Sequence, residues 1–437
     1  MADVKTPAFF VLSVMMQLEN KNSLSAWLNW LEACHPSEIE LGLDRIRSVA
    51  EKLSLNLGAS TVVTIAGTNG KGSTIQYLQS IYCQAGYSVG SFTSPHFLEY
   101  NERVQLNGQN VSDQCLCDAF ARIDQARGEI PLTYFEFGTL AALVIFSDET
   151  PDLVLLEVGL GGRLDAVNIV DADISVVTTV ALDHMDWLGD NREDIGFEKA
   201  GIFREGKPSV CGDLDPPASV TSYAQKIGAR LFQSGEVFAF KPSDSYWDWE
   251  GVSNIGEAIK ISQIPMPELP LQNASTVLQV LQFIPLNVSE TQVKAGIESA
   301  RLTGRMQQIK AEETVYYLDV AHNPEAAKHL RDRVDRLPGR SWLVLGMLAD
   351  KDCNAVIQIF EPLFEKIYLV SLDVPRGQTA EQLQGCFSSE VNLTLNKSVT
   401  AAIDEIKSAN NRPESVIIAG SFFTVAEALS VLEVEPV

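Results

Sequence analysis

Short runs of β-branched and apolar residues alternate along this chain with helical patterns, and this alternation constrains the fold more than any other feature. Such alternation is typical of a parallel sheet covered by helices. Four runs in the first half predict strands at 61–65, 87–92, 153–158 and 174–180. Four later runs predict strands at 315–318, 342–345, 367–370 and 416–419. The sequence therefore predicts an α/β fold.

The length of the chain favours two domains. Its 437 residues are long for one compact core. A less regular, proline-containing stretch separates the two sets of predicted strands, and a helix-like segment then ends near Ala300. We place the domain boundary at about residue 300, which gives domains at 1–300 and 301–437. The first would be a parallel-sheet domain of the P-loop type, given the glycine-rich segment described below, and the second a smaller Rossmann-like α/β domain.

The charge of the chain argues against nucleic acid as a partner. Lys and Arg number 33 against 57 Asp and Glu, so the formal charge of -24 repels polyanions. Small-molecule substrates are the expected partners, and a monomer is the expected state. The apolar segment at 8–16 is too short to span a membrane and lacks the basic flank of a signal peptide, and Met15 or Met16 is an equally plausible start.

The cysteines favour a reducing compartment. Seven are scattered along the chain, and Cys115 and Cys117 have neither the spacing nor the companions of a zinc or redox motif. We therefore expect a cytoplasmic protein.

The strongest local signal is the glycine-rich segment at 67–74, which lies between a predicted strand and a helical pattern from about Ile75 to Gln84. Backbone N–H groups of such a loop surround phosphate oxygens, and Lys71 adds a full positive charge. The usual P-loop has four residues between its glycines and Ser or Thr directly after Lys, whereas here there are two residues and Gly72 intervenes. The alternative is a tight structural connection.

Polar residues follow the other early strands, where ligands bind in an open parallel sheet. A carboxylate at the end of an apolar strand, as at Glu157, is costly unless it is paired or binds a cation. We expect Mg²⁺ between Glu157 and a nucleotide phosphate; the alternative is an ion pair with Arg163 or another basic residue. His184, between Asp183 and Asp186, is a second candidate metal ligand, although it could be an ordinary hydrogen-bonding residue.

Two further features belong to the second domain. The segment 319–324 ends in Asn-Pro directly after a predicted strand, so it is either part of the site or only a turn. Arg305 follows the domain boundary and could reach a phosphate when the domains close, or remain a solvated surface charge.

Together these segments resemble the Mur ligase superfamily, in particular its folylpolyglutamate synthase branch, from about Ser25 onward. The most specific matching segments are 67–73, 94–96, 133–136, 156–166, 182–184, 198–202 and 319–324. The resemblance implies that ATP binds at Thr68, Asn69, Gly70, Lys71, Gly72, Ser73, Asn273, Arg305 and Asp319. It implies one Mg²⁺ at Ser94 and Glu157 and a second at His184. Lys199 matches a lysine that is carbamylated in the family and would add an oxygen ligand beside the metals; its alternative is an ordinary salt bridge.

The resemblance also implies the substrate sites. His322 and Ser421 lie where the incoming glutamate is expected. The pterin would contact Glu40, Leu41, Gly42, Leu43, Thr133, Tyr134, Phe135, Glu136, Leu164, Asp165 and Ala166, matches that favour a bifunctional member. The expected catalytic residues are Lys71, His184, Lys199 and His322.

The resemblance thus implies ATP-dependent ligation of L-glutamate to dihydropteroate, forming dihydrofolate, and to reduced folates, forming polyglutamates, through an acyl phosphate. One alternative is folylpolyglutamate synthesis alone. Another is a nucleotide-binding regulatory protein without ligase activity. A third, a ligase of peptidoglycan precursors, would need a nucleotide-sugar-binding domain, for which we expect too little chain before Gly67.

Overall fold

The computed structural model of the protein describes residues 21–34, 40–388 and 391–432. The apolar segment at 8–16, with its alternative starts at Met15 and Met16, lies outside the described residues.

An eight-stranded sheet organises the N-terminal domain. Its strands are β1 (Thr61–Ala66), β2 (Val89–Phe92), β3 (Val104–Leu106), β4 (Gln109–Asn110), β5 (Leu153–Glu157), β6 (Ile174–Val177), β7 (Pro208–Cys211) and β8 (Arg230–Gln233). They lie in the order β4-β3-β2-β5-β1-β6-β7-β8. The pairs β4–β3 and β3–β2 are antiparallel and the others are parallel. The predicted α/β fold with a parallel sheet is therefore confirmed.

The central strand β1 is buried along its whole length. Its side chains alternate between two apolar layers, because successive residues of a strand point to opposite faces. Val62 and Ala66 pack into one layer, whereas Val63 and Ile65 pack into the other. A continuous apolar run is thus what a strand covered on both faces requires.

Helices cover this sheet on both faces. They are α1 (Leu24–Cys34), α2 (Asp44–Leu53), α3 (Lys71–Gln84), α4 (Asp113–Arg127), α5 (Tyr134–Glu149), α6 (Met185–Leu188), α7 (Arg192–Ala200), α8 (Ala218–Ile227), α9 (Leu271–Leu281) and α10 (Glu290–Ser299). Short 3-10 helices lie at Tyr100–Arg103 and Ala166–Ile169. The helix after the glycine-rich loop begins at Lys71, not near Ile75, so Lys71 belongs to its first turn.

A three-stranded antiparallel sheet precedes α9, in a stretch where the sequence analysis identified no strand. It contains β9 (Ala239–Pro242), β10 (Tyr246–Val252) and β11 (Ala258–Pro265), with β10 in the middle. Trp247 and Trp249 are buried, and Trp249 Nε1 donates a hydrogen bond to the Ser275 carbonyl at 3.1 Å. These two indoles attach the small sheet to the N-terminal domain.

A six-stranded sheet organises the C-terminal domain. Its strands are β12 (Gln307–Ala311), β13 (Thr314–Asp319), β14 (Ser341–Leu345), β15 (Lys366–Val370), β16 (Leu393–Asn396) and β17 (Ser415–Ala419). Their order is β12-β13-β17-β14-β15-β16, and only the β12–β13 pair is antiparallel. The helices are α11 (Pro324–Val334), α12 (Cys353–Phe360), α13 (Ala380–Gln384), α14 (Val399–Ser408) and α15 (Phe422–Val431), with a 3-10 turn at Glu361–Leu363.

We keep the domain division at about residue 300 as a proposal, because α10 ends at Ser299 and β12 begins at Gln307. All seven cysteines lie in the described part of the chain, and none forms a disulfide. Within the same part, no helix combines the length and apolar character needed to cross a membrane.

Candidate active site

A cleft of about 1390 Å³ opens where the strands of the N-terminal sheet end and the C-terminal domain faces them. Its walls carry Lys71, Ser94, Glu157 and His184 from the first domain. Parallel strands end at the same edge of a sheet, so side chains that follow different strands meet there. The volume exceeds the roughly 300–1,000 Å³ of common ligand pockets, so the cleft can hold more than one small molecule.

The glycine-rich loop has a backbone that side chains would disrupt. Gly70 has φ of 89°, and a Cβ there would lie 2.6 Å from the Asn273 side-chain amide. At Gly67, a Cβ would lie 1.8 Å from Thr178 Oγ1. Lys71 Nζ donates to the Gly67 carbonyl at 3.0 Å, which holds the ammonium over the loop. The N–H groups of Thr68 and Asn69 already donate to Thr179, so an anion would be bound by the N–H groups at the start of α3.

Glu157 ends β5 and is buried at 5 % exposure. Its Oε2 accepts a hydrogen bond from the Ser94 backbone N–H at 3.1 Å. Burial raises the pKa of Glu157, against the opposing charge of Lys71. The alternative pairing with Arg163 is wrong, because Arg163 instead pairs with Glu198 at 2.8 Å. Glu157 is thus a buried carboxylate without a basic ion-pair partner within 4.0 Å among the described residues, as a cation ligand requires.

His184 lies at the start of α6 with φ of 52°. Burial lowers the pKa of His184 to about 4, and the nearby cations Lys351 and Lys71 act in the same direction. A neutral imidazole has a free nitrogen lone pair, which is the form that binds metal ions.

Asp183, the neighbour of His184 in sequence, makes contacts with the C-terminal domain that the sequence did not predict. Lys351 Nζ from the C-terminal domain lies 2.7 Å from Asp183 Oδ1, and His322 Nε2 lies 3.7 Å from Asp183 Oδ2. Burial alone would raise the pKa of Asp183, but His322, His184 and Lys351 outweigh burial and hold it well below its usual range. No local motif identifies Lys351, so the sequence alone does not predict this contact.

Lys199 is buried at 4 % exposure near the end of α7, and it does not line the cleft itself. Burial and then the charge of Lys71 lower the pKa of Lys199 from 10.5 to about 7. The salt-bridge alternative is wrong, because no described carboxylate lies within 4.0 Å of this amine. A neutral amine at neutral pH can react with CO₂, as carbamylation requires.

Two residues of the C-terminal domain carry opposite charges, Arg305 in the wall of the cleft and Asp319 behind it. Asp319 accepts hydrogen bonds from the backbone of Met306 and Ala321, each at 2.9 Å. Burial lowers the pKa of Arg305, and Asp319 opposes this shift. Arg305 lines the cleft and lies 5.8 Å from the centre of the Phe422 ring. It is therefore not the solvated surface charge of the alternative interpretation.

The segment 319–324 is both a turn and a wall of the cleft. Asn323 caps α11 through its side chain, and Pro324 occupies the first turn of that helix. The two domains also meet here, because Asn323 Nδ2 donates to Asn69 Oδ1 at 3.0 Å. His322 Nδ1 lies 2.7 Å from the Val320 carbonyl, an arrangement that puts the proton on Nδ1 and a lone pair on Nε2.

The residues expected to bind the pterin also have structural roles. Thr133 and Glu136 form a capping box at the start of α5, and Arg45 Nη2 lies 3.2 Å from Glu136 Oε1. Asp165 receives hydrogen bonds from the backbone N–H groups of Leu160 and Val167, and burial raises its pKa to about 7. The following residues of this set line the cleft: Glu40, Leu41, Gly42, Thr133, Tyr134, Phe135, Glu136, Leu164, Asp165 and Ala166.

Four other predicted residues do not line the cleft. Leu43 precedes α2, and Ser73 is buried at 1 % exposure in the first turn of α3. Asn273 and Asp319 lie behind the cleft wall, although Asn273 packs against Gly70. Ser421 does line it, but its hydroxyl caps α15 by accepting from the Thr424 N–H at 3.0 Å.

His96 and Arg103 also line the cleft, and the sequence analysis gave them no role. Arg103 Nε donates to His96 Nδ1 at 2.8 Å. Burial, with the charge of Arg103, lowers the pKa of His96 to about 4. An arginine in an otherwise ordinary segment gives no sequence signal, so only the structure reveals this pair.

Comparison with known proteins identifies the class. The family model of the Mur ligase middle domain matches residues 65–236, and that of the Mur ligase glutamate ligase domain matches residues 304–422. The fold and the cleft are thus those of a Mur ligase.

Relatives that match nearly the whole chain identify the family within this class. The chain is 43% identical over 412 residues to the dihydrofolate synthase/folylpolyglutamate synthase of Escherichia coli K12, covering 94% of this chain and 96% of that protein. The chain therefore belongs to the dihydrofolate synthase/folylpolyglutamate synthase family, whose members are ATP-dependent ligases.

Solved structures agree with this assignment. E. coli FolC in complex with DHPP and ADP has a TM-score of 0.89 at 44% identity, over 94% of this chain and 98% of that one. A bifunctional folylpolyglutamate synthase/dihydrofolate synthase with Mn, AMPPNP and L-glutamate bound has a TM-score of 0.87 at 42% identity, over 94% and 98% of the two chains. Both of these relatives bind an adenine nucleotide, and the second also binds Mn.

Proposed function

We propose that this chain ligates L-glutamate to dihydropteroate, forming dihydrofolate, and to reduced folates, forming polyglutamates, with ATP as the energy source. One observation carries the proposal: Lys71, Ser94, Glu157 and His184 line a single cleft that the C-terminal domain closes with Arg305 and His322. These are the groups needed to bind a nucleotide, divalent ions and an acidic acceptor side by side.

The donor set fits a hard divalent cation. We propose Mg²⁺ at two positions, one held by Ser94 and Glu157 and one by His184 with the carbamate of Lys199. Among the described residues there is no cluster of three or more His, Cys, Asp or Glu that could hold a metal alone. This agrees with Mg²⁺, which commonly takes one or two protein ligands and completes its shell with phosphate oxygens and water. Bound Mg²⁺ would neutralise charge on the phosphates and the acceptor.

Phosphorylation activates the acceptor. A carboxylate is a poor acyl donor, because its charge repels an amine and oxide does not leave. A carboxylate oxygen of the acceptor attacks the γ-phosphorus in line, the bond from that phosphorus to the β-γ bridging oxygen breaks, and ADP leaves. The Lys71 ammonium and the N–H groups of the glycine-rich loop stabilise the charge on the transferred group.

The amine then displaces phosphate. Glutamate attacks the acyl carbon, the C–O bond to phosphate breaks, and inorganic phosphate leaves. The lone pair on His322 Nε2 is suited to accept the proton of the amine, because its Nδ1 is held by the Val320 carbonyl. Asp183, 3.7 Å from that nitrogen, stabilises the protonated ring.

Contacts between the domains limit water in the cleft. Asn69 with Asn323 and Asp183 with Lys351 connect the domains on the nucleotide side. Such closure protects an acyl phosphate from hydrolysis.

Release of ADP tests the proposal. The purified protein is supplied with ATP and Mg²⁺, and then with dihydropteroate, tetrahydrofolate and L-glutamate, singly and in pairs. We expect sustained ADP release only when glutamate accompanies one of the two acceptors. Activity with tetrahydrofolate alone would limit the function to polyglutamate synthesis, and nucleotide binding without glutamate-dependent turnover would contradict the ligase. Gel filtration tests the proposed monomer, and cell fractionation tests the proposed cytoplasmic location.

A further inference from the structure

The two proposed acceptors, dihydropteroate and reduced folates, differ in charge. An inference from this difference rests on the proposed function. Dihydropteroate has one carboxylate, which reacts. Ligation of glutamate through its amine gives a product with two carboxylates, and extension of either one brings the other into the cleft as a spectator. The second reaction therefore introduces an anion that the first does not have. A buried anion is costly unless a cation or several hydrogen-bond donors meet it.

Most cations that line the cleft already have partners. The lining cations among the described residues are Lys71, Arg103, Arg305, Lys351 and Arg376. Lys351 pairs with Asp183 at 2.7 Å, and Arg376 with Asp350 at 3.4 Å. Lys71 and Arg305 are assigned above to the nucleotide. The remaining cation is Arg103.

Arg103 is held rigidly without an acidic partner. Its Nε donates to His96 Nδ1 at 2.8 Å, and its guanidinium carbon lies 5.3 and 5.6 Å from the ring centres of Tyr100 and Tyr134. No described carboxylate lies within 4.0 Å of the guanidinium. These contacts leave both Nη groups as donors, in the planar fork that suits a carboxylate.

The nearest acidic residue in sequence is fully engaged elsewhere. The Glu102 carboxylate accepts hydrogen bonds from the backbone N–H groups of Phe97, Leu98 and Glu99, each at 2.7 Å. It therefore fixes the loop and does not neutralise Arg103. Since the Thr93 N–H donates to the Arg103 carbonyl at 2.9 Å, the arginine is anchored beside Ser94. The guanidinium lies against the Tyr134 ring, in the same cleft as the proposed metal ligands Ser94 and Glu157.

We propose that Arg103 binds the non-reacting carboxylate of the terminal glutamyl residue of a reduced folate. Arg103 is in this account a specificity residue for polyglutamate extension, which dihydropteroate does not need. His96 positions the guanidinium by accepting from Nε, and with Nδ1 occupied its proton lies on Nε2.

A comparison of three acceptors tests this proposal: tetrahydrofolate, dihydropteroate, and a tetrahydrofolate analogue in which 4-aminobutyrate replaces glutamate. The analogue keeps the chain length and one terminal carboxylate but lacks the second. In the wild-type protein, KM should be higher for the analogue than for tetrahydrofolate by roughly 10- to 100-fold, the range for hydrogen bonds to charged groups. In Arg103→Gln this difference should disappear, because KM for tetrahydrofolate rises. This rise in KM for tetrahydrofolate should be at least about ten times larger than any change in KM for dihydropteroate.

Arg122→Gln is the matched control. Arg122 is an exposed arginine that pairs with Asp148 on the same domain, so its loss changes the net charge equally. It should leave all three KM values unchanged. Arg103→Lys keeps the charge but loses the planar fork, and it should give an intermediate KM for tetrahydrofolate.

Three results would overturn the inference. The first is an equal KM for tetrahydrofolate and the analogue in the wild-type protein, which needs no variant. The second is a rise in KM in Arg103→Gln that has the same factor for tetrahydrofolate and for the analogue. The third is an unchanged KM for tetrahydrofolate in a folded Arg103→Gln protein, with folding checked by circular dichroism. Failure of the proposed function is distinct, since the wild-type protein would then turn over no acceptor.

Discussion

Lys351 Nζ lies 2.7 Å from Asp183 Oδ1, so a buried ion pair joins the C-terminal domain to the edge of the N-terminal sheet. The two side chains are only 8% and 11% exposed. Neither is adequately solvated without the other, so the pair holds the domains together only while both are charged.

Removal of this lysine should destabilise the protein. Lys351→Met removes the ammonium partner of the buried Asp183 carboxylate, and breaking a buried ion pair in this way typically costs about 3–5 kcal/mol of unfolding free energy. Urea unfolding followed by circular dichroism at pH 7 measures the loss. Lys260→Met, which breaks an exposed pair with Glu250, should leave the midpoint nearly unchanged.

The same pair gives a pH dependence with a definite sign. The pKa of Asp183 is depressed in the folded state, so its contribution is present above the unfolded pKa of about 3.9 and is lost as pH falls further. The difference in midpoint between wild type and Lys351→Met should therefore shrink below about pH 4. A difference independent of pH would show that the ion pair is not its cause.

Lys199 should show a linkage of the same sign, but in a higher pH range. Its pKa is lowered from 10.5 to about 7, so between these values the unfolded state binds more protons and stability rises with pH. In CO₂-free buffer, wild type should gain stability relative to Lys199→Met between pH 7 and 9. Added bicarbonate should increase the intact mass by one CO₂ in the wild type alone. The account of Lys199 fails if the variant takes up CO₂ to the same extent.

Substitution in the glycine-rich loop should reduce nucleotide affinity. Gly70→Ala adds a Cβ at 2.6 Å from the Asn273 amide, which forces the loop away from its geometry. We expect at least a roughly tenfold weaker Kd for ADP, equivalent to about 1.4 kcal/mol, by isothermal titration calorimetry. Gly86→Ala is the matched control, since Gly86 has φ of 84° with no atom within 4 Å of its Cβ position. Equal losses of affinity in both variants would exclude the loop as the cause.

Substitution of His322 should slow the attack of the glutamate amine on the acyl phosphate but not the formation of the acyl phosphate. His322→Gln should reduce glutamate-dependent product formation by about 10²- to 10⁴-fold, the usual contribution of a general base. Hydroxylamine should still trap the acyl phosphate at a rate close to that of wild type. His329→Gln, on the exposed face of α11, should leave both rates unchanged. Equal loss of trapping and of product in His322→Gln would contradict its role.

Much of the fold follows from local pattern. The predicted strand at 61–65 appears as Thr61–Ala66 because an apolar run of that length suits a strand covered on both faces. The glycine-rich loop and the residues at 94, 157 and 184 could be assigned to one edge because parallel strands end together. The capping box of Thr133 and Glu136 was also readable from its spacing, although the sequence analysis did not use it.

Other features depend on contacts between distant segments. Lys351 and Asp183 are 168 residues apart, and nothing local to either one specifies the partner. Burial of Lys199 against the cleft, and the pairing of Arg103 with His96, depend likewise on tertiary packing. Of the strands at 239–265, β9 and β11 were missed because their polar, half-exposed residues lack a clear alternation. In contrast, β10 alternates between buried and more exposed residues and could have been predicted.

Activation of the acceptor carboxylate by phosphorylation in this cleft is the central claim, and isotope transfer tests it most directly. Dihydropteroate labelled with ¹⁸O in its carboxylate is turned over with ATP and L-glutamate, and the inorganic phosphate is examined by mass spectrometry. An acyl phosphate transfers one carboxylate oxygen to each phosphate released, so the account predicts phosphate that carries one ¹⁸O. Unlabelled phosphate alongside normal product formation would contradict it.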